Sequence, residues 1–235
     1  MLDAILVLSV QVAILGGCGI FFGLLAPKDF KPLWLIAAVV VYVVSYIALT
    51  RGFYSFSNPP WASLNWYGKI LSTLVALAVA AIPAIGFKRS GMTLKQLPGS
   101  WTAWLFAAVV LGVVTYFAAT DGYVSSNLEA KIFQWTMPGL DEELLYRGVL
   151  LLMLNEALRS RVTVLGARMG WAALITSILF GAVHGVAFDD GVFQFTLPWS
   201  QTLSGLVLVW IRERTGSVIL PILGHNYGNA IFLMV

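Results

Sequence analysis

Long runs of apolar residues are the feature that most restricts what this chain can fold into. Eight stretches reach or approach the length of about 20 mainly apolar residues that an α-helix needs to cross a bilayer. They cover approximately residues 4–25, 33–50, 69–87, 101–119, 132–158, 171–187, 195–211 and 217–235. No stretch shows the alternation of apolar and polar residues that is typical of a strand. The connectors between the apolar runs contain turn-forming residues. The sequence therefore predicts an all-α, polytopic transmembrane bundle of about eight spanning helices.

The charged residues are too few to cover a water-soluble protein of this length. They make up 11% of the 235 residues, whereas an average soluble domain contains about 25%. This composition excludes a soluble globular enzyme, a disordered chain and a nucleic-acid-binding domain, so no nucleic-acid partner is expected. The 14 Lys and Arg residues lie in small groups between apolar runs, as in loops that orient membrane proteins. We expect an integral multi-pass protein of the cell membrane, in contact with its lipids.

The first group of polar residues inside an apolar run is Asp141-Glu142-Glu143, followed by Arg147. Acidic residues near a helix start bind free backbone N–H groups. Glu143 and Arg147 are four residues apart, in the order that favours an ion pair on a helix. These two effects explain one glutamate and the arginine but leave Glu142 without a partner. Each charge at mid-membrane costs about 2.5–3.5 kcal/mol on insertion scales, so this cluster indicates function.

The two histidines of the chain both lie inside apolar runs. His184 is in one predicted helix, and His225 is in the last one. Asn229 follows His225 by four residues, so both project from the same helix face. Each histidine lies within a pair of glycines spaced by four residues, Gly181 to Gly185 and Gly224 to Gly228. Such pairs allow helix backbones to approach closely, so we expect tight packing at both histidines.

These residue types suit hydrolysis if they meet inside the bundle. A carboxylate takes a proton from water, an imidazole orients the water, and further donors stabilise an oxyanion. We expect Glu142, His184 and His225 to share one cavity, because an intramembrane charge without a partner is costly. The same three residues also fit a proton relay in a proton-coupled transporter. That alternative predicts internal repeats and discontinuous helices, which the sequence does not contain.

Three motifs resemble those of the CPBP family of intramembrane proteases, which includes type II CAAX prenyl endopeptidases and bacteriocin-processing or immunity proteins. The motifs are Glu142-Glu143-x-x-x-Arg147, Phe180-x-x-x-His184 and His225-x-x-x-Asn229. The resemblance covers about residues 130–235. Residues 1–128 contribute only their hydropathy, which predicts about four N-terminal transmembrane helices within one integrated membrane domain. The resemblance implies that residues 129–235 form a helical catalytic core.

The resemblance implies a role for each matching residue. Glu142 would be the general base that activates water, aided by His184. His225 and Asn229 would stabilise the oxyanion or bind the substrate carbonyl. The implied activity is that of an endopeptidase acting on a membrane-associated peptide or lipidated protein, with a CAAX-like, prenylated or leader-type cleavage site. The oligomeric state is left open by the sequence.

Two points stay open at this level. The resemblance also implies that Glu143 and Arg147 form the supporting ion pair. The first open point is the mechanism, because a metal site is the alternative to water activated by glutamate alone. Glu142, His184 and His225 together form a workable zinc ligand set. The sequence contains no His-Glu-x-x-His motif, so we favour slightly a mechanism without a fixed metal and commit to no cofactor. A non-proteolytic immunity or scaffold protein with the same fold is the alternative function.

Overall fold

The computed structural model describes residues 1–121 and 126–235, and most of this part of the chain is helical. Helices occur at all eight positions where the apolar runs predict them. The helices are α1 Leu2–Leu25, α2 Pro32–Leu49, α3 Trp66–Ala81, α4 Trp101–Asp121, α5 Leu128–Glu143, α6 Leu151–Ala157, α7 Trp171–Gly185, α8 Trp199–Thr215 and α9 Ile219–Ala230. The run predicted at 132–158 contains two of them, α5 and α6. A π-helical segment, Leu144–Leu150, joins α5 to α6 without a break. Short 3-10 turns lie at Pro27–Asp29 and Ile231–Leu233, and a four-residue turn with positive φ angles lies at Arg51–Tyr54.

Three of the described helices are long and apolar enough to cross a membrane: Leu2–Leu25, Pro32–Leu49 and Trp101–Thr120. Trp66–Ala81 and Trp171–Gly185 are apolar but shorter. At a rise of 1.5 Å per residue, a 16-residue helix such as α3 is about 24 Å long, less than the hydrocarbon core of about 30 Å. The fold is therefore helical and membrane-like, as predicted, while the number of eight spanning helices stays a prediction.

Two β-hairpins show that the expectation of a chain without strands is wrong. In the first hairpin β1 Arg161–Val164 pairs with β2 Ala167–Gly170, and in the second β3 Val186–Asp189 pairs with β4 Val192–Phe195. Their turns, Leu165-Gly166 and Asp190-Gly191, have positive φ at both residues, as the commonest two-residue hairpin turns require. Asp-Gly is a strong hairpin signal, and the sequence interpretation overlooked it. The second hairpin ends α7 at Gly185 and delays the start of α8 to Trp199.

The hydrophobic core is centred on the π-helical segment, in which every residue is buried. Helices α2, α3, α6 and α7 contribute most of the buried side chains around it. The Glu142-Glu143 pair lies at the end of α5, directly before this segment, so its side chains enter the interior of the bundle. The fold thus holds the acidic pair next to the buried π-helical segment.

The two glycine pairs behave differently. A Cβ atom at Gly181 would overlap Thr202 Oγ1, and one at Gly185 would overlap the carbonyl oxygen of Thr196, so the first pair packs against α8 and the residues before it as expected. At the second pair the expectation of tight packing is wrong. Gly224 would place a Cβ 3.9 Å from the nearest atom, and Gly228 has no other atom within 4 Å of that position. The second pair leaves space that belongs to the cavity described below.

Candidate active site

The acidic pair follows Pro138-Gly139, which lies inside α5. Proline has no N–H and so removes one helical hydrogen bond. The amide of Gly139 donates instead to Asn226 Oδ1 at 2.7 Å, and Asn226 Nδ2 donates to the carbonyl of Thr136 at 3.1 Å. A Cβ at Gly139 would lie 2.7 Å from the carbonyl of Ile222, so glycine permits α5 and α9 to touch here. Asn226, which the sequence analysis missed, therefore fixes how α5 carries its carboxylates towards α9.

Glu143 connects Arg147 and His225 in the interior. Its Oε1 accepts from Arg147 Nη1 at 3.0 Å and from His225 Nδ1 at 2.7 Å. The side chains of Glu143 and Arg147 have no exposed surface, and the guanidinium lies 4.2 Å from the centre of the Phe180 ring. The expected ion pair is therefore present in the structure. The contact with His225 was not foreseen, and it holds the imidazole through its Nδ1 atom.

Glu142 has a partner, contrary to the sequence analysis. Lys69 Nζ lies 2.5 Å from Glu142 Oε1 and 3.0 Å from Asp141 Oδ2. Lys69 is the first residue of the apolar run 69–87; it lies in the first turn of α3, and only 13% of its side chain is exposed. Glycine at position 68 brings α3 against α2, because a Cβ there would overlap the carbonyl oxygen of Leu49. This close contact carries the ammonium group to the two carboxylates.

A cavity of about 320 Å³ brings four of the predicted site residues together: Glu142, His184, His225 and Asn229 all line it. Glu142 Oε2 lies 3.8 Å from His225 Nε2. His184 is in the last turn of α7, exposed at its surface, and its Nδ1 is 2.8 Å from the carbonyl oxygen of Phe180. The structure thus joins residues from α5, α7 and α9 in one space, which we call the main cavity. The catalytic roles of these residues stay predictions.

The remaining walls of the main cavity are mostly apolar and come from α4, α8 and α9. Gly224 and Gly228 border it, which explains why their missing side chains are not filled by another helix. Two polar residues of α8, Gln201 and Ser204, also line it, and the sequence analysis missed them. Their only signal was a pair of polar residues three apart at the start of an apolar run.

The zinc alternative receives no support from the arrangement of the described side chains. Lys69 binds one oxygen of Glu142, while the Nδ1 contacts of His184 and His225 leave the Nε2 atom of each ring open. Across residues 1–121 and 126–235, no group of three or more His, Cys, Asp and Glu residues is arranged to hold a metal ion. An ammonium group beside the carboxylate also opposes a second cation by charge repulsion.

The start of α5 is hydrogen-bonded to the connector between α2 and α3 and to the first residue of α3. Glu129, in the first turn of α5, accepts hydrogen bonds from Ser63 Oγ and Trp66 Nε1 at 2.6 and 3.0 Å. Its carboxylate also accepts from the backbone amides of Ser63 and Leu64. These bonds, led by the Ser63 hydroxyl and the Leu64 amide, lower the pKa of Glu129 to about 2. The helix that carries Lys69 and the helix that carries Glu142 are thereby joined at one end.

The fold and the site together define a class: a membrane-type helical protein with an interior cavity lined by a glutamate, two histidines and an asparagine. Residues 125–231 match the family model described as type II CAAX prenyl endopeptidase Rce1-like. This match includes all three motifs, so the predicted resemblance to that protease family is confirmed for residues 125–231. Neither curated proteins nor solved structures give a match.

Proposed function

We propose that this protein is an intramembrane endopeptidase that hydrolyses a peptide bond of a membrane-associated substrate with water activated by Glu142. The observation that carries the proposal is the main cavity, in which Glu142, His184, His225 and Asn229 meet inside a membrane-type bundle. The family match supports a peptide substrate of the CAAX type.

The two carboxylate oxygens of Glu142 have different roles in this mechanism. Oε1 is held by Lys69, while Oε2 is buried and has no hydrogen-bond partner in the protein. Oε2 is therefore the atom that accepts a proton from water, with His184 orienting the water. The water oxygen attacks the carbonyl carbon, the C–N bond breaks, and the proton passes to the leaving amine.

His225 and Asn229 stabilise the oxyanion in this proposal. The hydrogen bond from Nδ1 to Glu143 holds the imidazole with its Nε2 on the side of Glu142. In this scheme an N–H group at Nε2 is the donor to the developing charge. Asn229 lies one helical turn further along the same face of α9, where its amide adds a second donor. Arg147 fixes Glu143 in turn.

The substrate enters from the lipid and places apolar side chains, or a lipid anchor, against the apolar walls of the main cavity. We infer a multi-pass protein of the cell membrane whose partners are membrane lipids and a lipidated, CAAX-like or leader-type peptide. No nucleic acid and no metal take part in this scheme.

The test uses the full chain in lipid nanodiscs with a prenylated CAAX peptide and the same peptide without its prenyl group. Release of the C-terminal fragment is followed by mass spectrometry. We expect cleavage by the wild type and none by Glu142→Gln. Glu156→Gln, a partly exposed control outside the main cavity, should keep wild-type activity. Equal activity of Glu142→Gln would refute the assignment of the base. A folded wild type that binds these peptides without cleaving them would indicate the non-proteolytic alternative.

A further inference from the structure

A second, smaller cavity lies on the side of Glu142 that faces α2 and α3. It has a volume of about 50 Å³ and is lined by Ser45 and Tyr42 of α2, Ser72 of α3, and Asp141 and Glu142 of α5, with apolar neighbours. We call it the rear cavity. A space needs only about 10–15 Å³ of this kind to hold one water molecule. Glu142 is the residue that borders both the main and the rear cavity.

Oxygen atoms without partners converge on the rear cavity. Ser45 Oγ, Ser72 Oγ and Asp141 Oδ1 are buried and make no hydrogen bond of normal geometry within the protein, although the Ser72 hydroxyl lies close enough to interact with the Asp141 carboxylate. These three residues are only 1%, 1% and 2% exposed, so bulk solvent does not reach them. Buried polar atoms are almost always paired, and a buried water with about three hydrogen bonds is the usual partner when the protein provides none. The rear cavity offers that number of open oxygens.

The charges around the rear cavity favour water over a cation. Lys69 Nζ lies 3.0 Å from Asp141 Oδ2 and 2.5 Å from Glu142 Oε1, so both carboxylates already have a positive partner. A further cation beside the ammonium group would be repelled. Water carries no charge, and it can donate to a carboxylate and a hydroxyl at once.

We propose that the rear cavity is a water-binding site that supplies the hydrolytic water to Glu142. This inference rests on the proposed endopeptidase function. Each turnover consumes one water, whose proton goes to Glu142 and whose oxygen bonds to the carbonyl carbon. An apolar substrate that fills the main cavity excludes water from that side. The rear cavity, built partly from helices outside the segment that matches the family model, provides water from the other side.

Two measurements test the proposal separately. The first is a structure of the full chain in lipid at a resolution that shows ordered water. We expect a peak within about 3.2 Å of the oxygens of Ser45, Ser72 and Asp141. The second is kinetic: Ser72→Val fills the cavity and removes a hydroxyl. This variant should lower kcat at least about tenfold and leave KM unchanged. The loss is smaller than the rate factor of about 10²–10⁴ that a positioned general base contributes, because Glu142 itself is still present.

Thr73→Val is the matched control. Thr73 is the next residue of α3 and is also buried with an unpartnered hydroxyl, but it does not line the rear cavity, so this variant should keep the kcat of the wild type. If Ser72→Val fails to fold, Ser72→Cys replaces it, because the thiol keeps the shape and weakens the hydrogen bond.

An empty rear cavity, or a peak that depends on sodium, would overturn the proposal whatever the activity. So would equal kcat values for the Ser72 and Thr73 variants. A wild type that cleaves no peptide would instead refute the proposed function, and the structural measurement would still decide whether water binds here.

Discussion

The ion pairs of Lys69 allow a quantitative prediction. Methionine at this position keeps the length of the side chain and removes its charge. In the structure the ammonium group contacts Asp141 and Glu142 at 3.0 and 2.5 Å, and the side chains of these residues are only 2% and 16% exposed. Lys69→Met therefore leaves two adjacent carboxylates without a cation.

Removal of one partner from a buried ion pair costs about 3–5 kcal/mol, because the other charge is left unpaired. Glu142 borders the main cavity and keeps some access to water, so we expect the lower end of that range, about 3 kcal/mol. For a chain of 150–250 residues each kcal/mol changes Tm by about 2–4 °C, which gives a decrease of about 6–12 °C. Activity should fall as well, since Lys69 fixes Oε1 of the proposed base.

The assay is thermal unfolding in detergent, followed with a thiol-reactive dye at Cys18, the only cysteine of the sequence. Lys88→Met is the control, since Lys88 is exposed, and its Tm should match that of the wild type. Asp141→Asn in the Lys69→Met background removes one stranded charge and should recover part of the lost stability. A Tm for Lys69→Met equal to that of the Lys88 control would refute the reasoning.

Three further predictions concern other parts of the site. Arg147→Ala should lower the free energy of unfolding by about 3–5 kcal/mol, because it strands the buried Glu143. Glu142→Gln should instead leave a stable, substrate-binding and inactive protein, because Lys69 keeps Asp141 as its ionic partner. Asn229→Ala should lower kcat by about 10²–10³-fold with little change in KM, as expected for the loss of one oxyanion donor, and added zinc should not restore activity. The contacts of Glu129 should show a pH dependence. Since its pKa falls from 4.5 to about 2 on folding, the connector before α3 should stay protected from pepsin at pH 4.5 and become cleavable as the pH falls through about 2.

Each of these predictions has an outcome that contradicts it. Equal destabilisation by Arg147→Ala and Glu142→Gln would reject the division of roles within the acidic pair. Full inhibition by a chelator, reversed by zinc, would show that a metal mechanism is correct despite the geometry. Glu129→Gln is the control for the pH experiment, and its connector should be cleaved at every pH tested. Protection of that variant would show that the carboxylate does not hold the connector.

Local features of the sequence were sufficient to predict the helices and the motif residues. Each apolar run folds into a helix because a membrane or a protein interior requires backbone groups to bond within the segment. The ion pair of Glu143 with Arg147 and the shared face of His225 and Asn229 follow from helical spacing alone. The hairpin at Asp190-Gly191 was also readable from its dipeptide, although the interpretation passed over it.

Contacts between helices could be known only from the tertiary structure. Lys69 and Glu142 are 73 residues apart, and Asn226 is 87 residues from Gly139. No spacing rule relates such positions, because their distance depends on which helices pack together and how closely their backbones approach. The missing side chain of Gly68 brings Lys69 to Glu142, whereas those of Gly224 and Gly228 leave a cavity. Glycine thus permits close contact between helices at one position and leaves a cavity at others. The position of the neighbouring helix decides which of the two occurs.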